Sequence, residues 1–227
     1  MSLFFLTFFE MKLYWVKTNK LIKTLFSKWI WDIPNTKKVV YLTFDDGPTP
    51  EVTSWILDEL NKYNFKATFF CIGDNIRKYP VIFKKIISEG HAVGNHTFNH
   101  LNGWKTSTQN YIDNTELCQE IIDKNMQYNS DSKIFRPPYG KIKKAQSRAL
   151  LKMGYKIFMW DVLSADFDGK ITNEECLNNV IMNLQPGSII VFHDSIKAFE
   201  KLKYVLPATL QYLQDNNYET KVIGNDN

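Results

Sequence analysis

Val39-Val40-Tyr41-Leu42-Thr43-Phe44-Asp45-Asp46-Gly47-Pro48 begins as a β-branched and aromatic run and breaks off in two adjacent carboxylates and a Gly-Pro turn. A short apolar run closed by a turn signal reads as a strand buried on both faces, the kind a parallel sheet requires. Outward from it the chain alternates. Comparable runs at 67–72, 91–94, 134–135, 156–160 and 188–192, and a last one at 218–223, are separated by helical periodicity near 50–62, 75–88, 108–124, 142–153, 173–183 and 199–215. Strand-then-helix repetition implies parallel strands joined by right-handed crossovers. The predicted fold class is α/β: a distorted, incomplete (β/α) barrel of the TIM type with about seven strands. Residues 38–227 form its single catalytic domain, and residues 1–37 an N-terminal basic amphipathic arm.

The arm carries most of the charge asymmetry. Residues 1–38 hold seven lysines against Glu10 and Asp32, in a chain of net charge +4, so the remainder is close to neutral. That argues against a nucleic-acid surface on the main domain. From Lys12 to Trp31 the apolar residues recur at mostly helical spacing, which predicts one amphipathic helix with a break near Thr18-Asn19. It packs on the main domain or, in the alternative, makes peripheral contact with a membrane through residues 12–31. Leu3 to Phe9 is too short to span a bilayer, which takes ~20 residues, and lacks the flanks of a signal peptide. Met11 offers an alternative start that would leave residues 1–10 outside the native chain. On these signals the chain reads as cytoplasmic, whereas an enzyme directed at wall glycan would act at the cell envelope. Cys71, Cys118 and Cys176 are odd in number and widely spaced, so free buried thiols are expected. Nothing implies an oligomer, and a monomer is expected.

The chemically capable residues fall just after the strands: Asp45-Asp46, His96 and His100, Arg136 to Tyr139, Asp161 to Asp166, and His193-Asp194. In a parallel barrel those positions share the face on which active sites are built. Core packing does not predict that placement. Adjacent Asp45 and Asp46 repel unless something offsets the repulsion, and a metal on one of them would leave the other ionised as a base. His96-Thr97-Phe98-Asn99-His100 places two imidazoles four residues apart, on one face if the segment is a helical turn, a spacing suited to one zinc ion. His91, five residues earlier, reads as structural. Pro137 and Pro138 fix the backbone so that the N–H groups after them are pre-aimed at an oxyanion. Arg136 can hold Asp45 by a charge-assisted fork. His193 is a candidate general acid, with Asp166 or Asp161 as its partner.

Thr43–Pro48 (TFDDGP), His96–His100 (HTFNH), Arg136–Gly140 (RPPYG), Trp160–Phe167 (WDVLSADF) and Val191–Asp194 (VFHD) together resemble the ordered motifs of the polysaccharide deacetylases. This is the NodB-homology group, carbohydrate esterase family four. The resemblance runs from about Lys38 to Gly224, four-fifths of the chain. It implies Asp45 as general base and Asp46, His96 and His100 as ligands of a divalent metal, usually zinc, with Co2+, Ni2+ or Mn2+ as alternatives. It further implies Arg136 positioning Asp45, the Tyr139 N–H at the oxyanion, and Asp166 tuning His193 as general acid. Tyr139, Trp160, Phe167 and Val191 would contact substrate, Val191 standing where leucine is common and lining the acetyl pocket. Leu163 replaces a frequent acidic residue and Phe167 a frequent tryptophan, which bears on substrate preference. The implied activity is removal of N-acetyl groups from an N-acetylglucosamine-containing glycan such as peptidoglycan or a chitin-like polymer. The rivals are a small amide or acetyl-ester hydrolase on the same fold and a non-catalytic glycan-binding protein.

Overall fold

The computed structural model describes residues 14–126 and 133–224. In chain order the elements are α1 (Lys20–Leu25), β1 (Val39–Asp45), α2 (Val52–Lys62), β2 (Ala67–Cys71), α3 (Gly73–Lys78), α4 (Pro80–Ser88), β3 (Ala92–Asn95), α5 (Thr108–Asn125), β4 (Lys133–Phe135), α6 (Lys144–Lys152), β5 (Tyr155–Ile157), β6 (Val162–Leu163), α7 (Asn173–Ile181), β7 (Ile189–His193), α8 (Ile196–Asp215) and β8 (Glu219–Thr220). The strand order is β5-β4-β3-β2-β1-β7-β6, every pairing is parallel, and β8 adds to β1. The sheet curls without closing: β5 and β6 are its two ends and do not pair. This is the incomplete barrel the alternation predicts.

All seven residues of β1 are buried, as a strand covered on both faces must be. Val40, Leu42 and Phe44 pack outward against Ile56 and Leu60 of α2 and Leu206 and Leu210 of α8. Val39 and Tyr41 point the other way, into a core shared with Phe70, Ile134, Phe158 and Ile189. Period-two alternation therefore sends Thr43 and Asp45 toward the inside of the barrel as well. Local signals set the helix ends: Thr172 and Glu175 form a reciprocal capping box on α7, and Ser107 caps α5. The helix expected over 75–88 is two helices, because Pro80 lacks the N–H that would continue α3 and instead starts α4.

The arm departs from expectation in form. Asn19 caps α1 through a hydrogen bond to Ile22 N, so the break near Thr18-Asn19 is present, but the helix ends at Leu25 instead of Trp31. Before it, and again from Ile30 after a turn at 26–29, the chain pairs with strand ends that would otherwise lack partners. Val16 O accepts from Leu163 N (2.8 Å) and Thr18 N donates to Asp161 O (2.9 Å). Ile30 N donates to Ile157 O (2.8 Å), and Ile30 O accepts from Met159 N (2.7 Å). The arm thus spans the gap between β5 and β6. Buried Asp161 anchors it, accepting from Lys17 Nζ (2.6 Å), Lys23 Nζ (2.5 Å) and Ser188 Oγ (2.6 Å). Leu21 and Leu25 stand exposed on α1, and Trp31 is buried. No helix among the described residues is long and apolar enough to cross a membrane. The three cysteines are free and buried, as expected.

Candidate active site

Asp45 ends β1 and His193 ends β7, and the two are register partners across the parallel pair. Arg136 follows β4 directly and is fully buried. Its Nη1 donates to Asp45 Oδ1 (2.7 Å) and Thr43 Oγ1 (2.7 Å), its Nη2 to Met159 O (2.9 Å), and its guanidinium lies 4.1 Å from the centroid of the Phe70 ring. The Asp45 carboxylate is thereby fixed and charge-compensated inside the barrel mouth.

Asp46, His96 and His100 each offer a donor atom, and the three atoms lie within 4.8 Å of one another. His100 Nε2 is 3.2 Å and His96 Nε2 3.8 Å from Asp46 Oδ1, a buried oxygen with no hydrogen-bond partner by conventional criteria. His96 Nδ1 lies 2.8 Å from the Arg136 carbonyl, which orients the ring and turns Nε2 toward Asp46. Burial pushes His96 down to about 4 and so favours the neutral imidazole that coordinates. Burial would raise the Asp46 carboxyl, but the His100 ring beside it and the charge of His193 hold it well below the usual range. An ionised carboxylate, the neutral His96 imidazole, a second imidazole from His100 and an orphaned oxygen suit a divalent cation.

The helical turn expected for His96–His100 does not form. Thr97 and His100 have φ of 59° and 55°, and the segment is a loop held by Asn114 of α5, whose Oδ1 accepts from Phe98 N and Asn99 N. The two rings still converge, with centroids 5.1 Å apart. Asn95 Oδ1, accepting from Thr97 N, helps set the path. His91 is structural, as expected: it is buried against Phe69 and accepts from Ala67 N at Nδ1.

Of the two candidate partners for His193, the structure selects Asp166. Its Oδ1 lies 2.8 Å from His193 Nδ1 and its Oδ2 accepts from His193 N (2.8 Å), so one buried carboxylate clamps both ring and backbone. Burial alone would lower the imidazole, but the Asp166 ion pair outweighs it and raises His193 to about 9. Asp161 is committed to the arm instead. Tyr139 sits at φ 60° in the Pro-Pro turn with its ring 4.5 Å from that of His100. No hydrogen bond among the described residues takes up its backbone N–H. Tyr139, Trp160, Leu163, Phe167, Val191 and His193 line a cavity of about 460 Å³ together with Asp45, Asp46, His96 and His100. Of the residues the resemblance implies for the site, Asp45, Asp46, His96, His100, Tyr139, Trp160, Phe167, Val191 and His193 line this cavity, and Arg136 and Asp166 stand directly behind it.

Asp194 is a site residue to which sequence reasoning gave no role. Its buried carboxylate accepts from Gly47 N (2.8 Å) and Thr53 Oγ1 (2.6 Å), pinning the loop that carries Asp46. Burial pushes it up to about 7 against those hydrogen bonds. The signal available was the small residue next to the Asp pair: a Cβ on Gly47 would stand 1.7 Å from Asp194 Oδ2. Gly47→Ala is therefore expected to displace the Asp46 loop and lower stability by about 2 kcal/mol or more. Thermal unfolding together with zinc titration checks this, and an unchanged Tm with unchanged metal affinity would refute it.

An incomplete parallel barrel whose strand ends carry a two-histidine, one-carboxylate cluster beside an arginine-held carboxylate and an aspartate-held histidine is the architecture of a hydrolytic centre. The sequence pattern of the family "Polysaccharide deacetylase" matches residues 32–158. A peptidoglycan-N-acetylglucosamine deacetylase of Bacillus cereus is 40% identical over 71% of this chain and 58% of its own length. A chitooligosaccharide deacetylase of Azorhizobium caulinodans is 32% identical over 78% of this chain and 90% of its own. Among solved structures, the Bc1960 peptidoglycan N-acetylglucosamine deacetylase, in complex with a naphthalenyl N-oxidanyl-benzamide, superposes with a TM-score of 0.76 at 33% identity, covering 86% of this chain and 91% of that one. The chain belongs to the polysaccharide deacetylase family.

Proposed function

We propose that this protein is a metal-dependent hydrolase that removes N-acetyl groups from an N-acetylglucosamine-containing glycan, with peptidoglycan as the substrate class nearest its relatives. The observation that carries the reading is the pairing of two separately held groups at one cavity: Asp45 tied to Arg136, and His193 tied to Asp166. Amide hydrolysis needs both a base for the attacking water and an acid for the leaving amine. Asp46, His96 and His100 would hold a divalent cation, zinc in the first instance, which would supply Lewis acidity and acidify water there. Asp45, held and aimed by Arg136, takes the proton of the attacking water. The Tyr139 N–H, left without a protein partner, faces the developing oxyanion. His193, protonated at neutral pH, gives its proton to the departing sugar amine. Trp160, Phe167 and Val191 form apolar walls for the sugar and the acetyl methyl, and acetate and a free amino sugar are the products.

The test is acetate release from N-acetylglucosamine oligomers and from peptidoglycan, with chain stripped of metal and then restored with zinc or cobalt. Release is expected to vanish with the metal, return on its restoration, and be absent in Asp45→Asn whatever the metal. Metal-loaded wild type that releases nothing from either glycan would sink the reading and point to small amides or esters.

A further inference from the structure

The pocket has a wall that the family pattern does not account for. Tyr14 lies ahead of the matched residues 32–158, yet it lines the same cavity as Asp45 and His193. Its placement is built from several sides. Two residues on, the arm runs antiparallel to β6, with Lys17 bridged to Val162 and Val16 O accepting from Leu163 N. The Tyr14 hydroxyl donates to Asp168 Oδ2 (2.6 Å). Its ring stands edge-on to Phe167 with centroids 5.5 Å apart, and Phe167 stands edge-on to His193 at 5.0 Å. Lys197 Nζ lies 5.9 Å from the centroid of that same Phe167 ring. Tyr14, Phe167 and His193 thus form a stepped row of rings along one side of the cavity.

We infer that Tyr14 is a substrate-positioning residue: the arm closes the barrel gap and presents this ring as the pocket wall that meets the sugar and holds Phe167 in place. The inference rests on the hydrolase reading for its substrate and assigns the arm a part in that site. Edge and face contacts between an aromatic ring and its neighbours are individually modest, so the effect falls on substrate binding and leaves the chemical step intact. The ring is the working part. The hydroxyl bond to Asp168 is an anchor.

The experiment compares full-length wild type, Tyr14→Ala, Tyr14→Phe and, as a control on the arm, Trp15→Ala, whose side chain is exposed. Tyr14→Ala is expected to raise KM for N-acetylglucosamine tetramer about tenfold with kcat within about twofold, and Tyr14→Phe and Trp15→Ala to stay within about threefold of wild type. The same ranking is expected for Kd of the tetramer by calorimetry in an Asp45→Asn background, which needs no turnover. That binding arm tests the wall even in a chain that releases no acetate, so the two readings fail separately. Unchanged KM and Kd in Tyr14→Ala overturn the inference. So does a loss that Tyr14→Phe shares in full, since only the tie to Asp168 would then matter, or one that Trp15→Ala shares, since the arm as a whole would then be responsible.

Discussion

Arg136→Met is expected to destabilise the protein by about 3–5 kcal/mol and to remove acetate release altogether. Methionine fills much of the volume beside Phe70 but leaves Asp45 as a buried carboxylate without its cation, and it strands the Thr43 hydroxyl and the Met159 carbonyl. The cost of breaking one side of a buried pair is dominated by the charge left behind, more than by the attraction lost. Against a total stability of about 5–15 kcal/mol, that is enough to put a sizeable part of the chain near unfolding. The diagnostic is therefore the double variant Arg136→Met/Asp45→Asn. Neutralising the stranded carboxylate should return a good part of the lost stability without returning any activity, giving a coupling energy of about 1–3 kcal/mol in a denaturant-unfolding cycle. Additive losses would mean that Arg136 acts through its backbone contacts and that Asp45 is not held by charge. Arg136→Lys is expected to do little better than methionine, because a single ammonium cannot reach Asp45, Thr43 and the Met159 carbonyl together.

Legibility of the molecule from its sequence follows the range of the interactions involved. The β1 run, the alternation after it and the clustering of Asp45, Asp46, His96, His100, Arg136 and His193 behind strand ends are local patterns, and each is where the parallel barrel puts it. The loop geometry was not legible. His96 and His100 converge because Asn114, fourteen residues beyond His100, straps the backbone into a path with two left-handed residues, and no spacing rule for a helix conveys that. The two-residue strand β6 was hidden inside a stretch read as a site motif, since two residues carry no periodicity. In the arm, lysines interleaved with apolar residues mimic a helix. The arm's extended parts owe their form to open strand ends and to Asp161, all more than a hundred residues away. Asp194 falls in the VFHD motif, but its role is hidden for a similar reason: it depends on Gly47 and Thr53, which approach it only in the folded barrel.

The second large effect is a pH effect. His193 is raised to about 9 because Asp166 holds its ring and backbone together, so it carries a proton through neutral pH and can serve as an acid there. Activity that depends on that proton should fall as pH rises through about 9. Asp166→Asn removes the charge but keeps an oxygen for the hydrogen bond. Burial, which lowers the imidazole, then goes unopposed by its main partner, and the alkaline limb of kcat/KM is expected to move to lower pH with kcat reduced roughly 10²–10⁴-fold. The stability consequence has a definite sign. A histidine raised in the folded state contributes fully below its unfolded value near 6.5 and loses that contribution as pH climbs through about 9. Wild type should therefore lose stability between about pH 6.5 and 9, by a few kcal/mol at most, and Asp166→Asn should lack that slope. With only four histidines in the chain, the imidazole proton resonances can be followed one by one across the same range. An alkaline limb that stays put in Asp166→Asn, while the His193 resonance shifts, would take the acid role away from His193 and assign it to another group at the cavity.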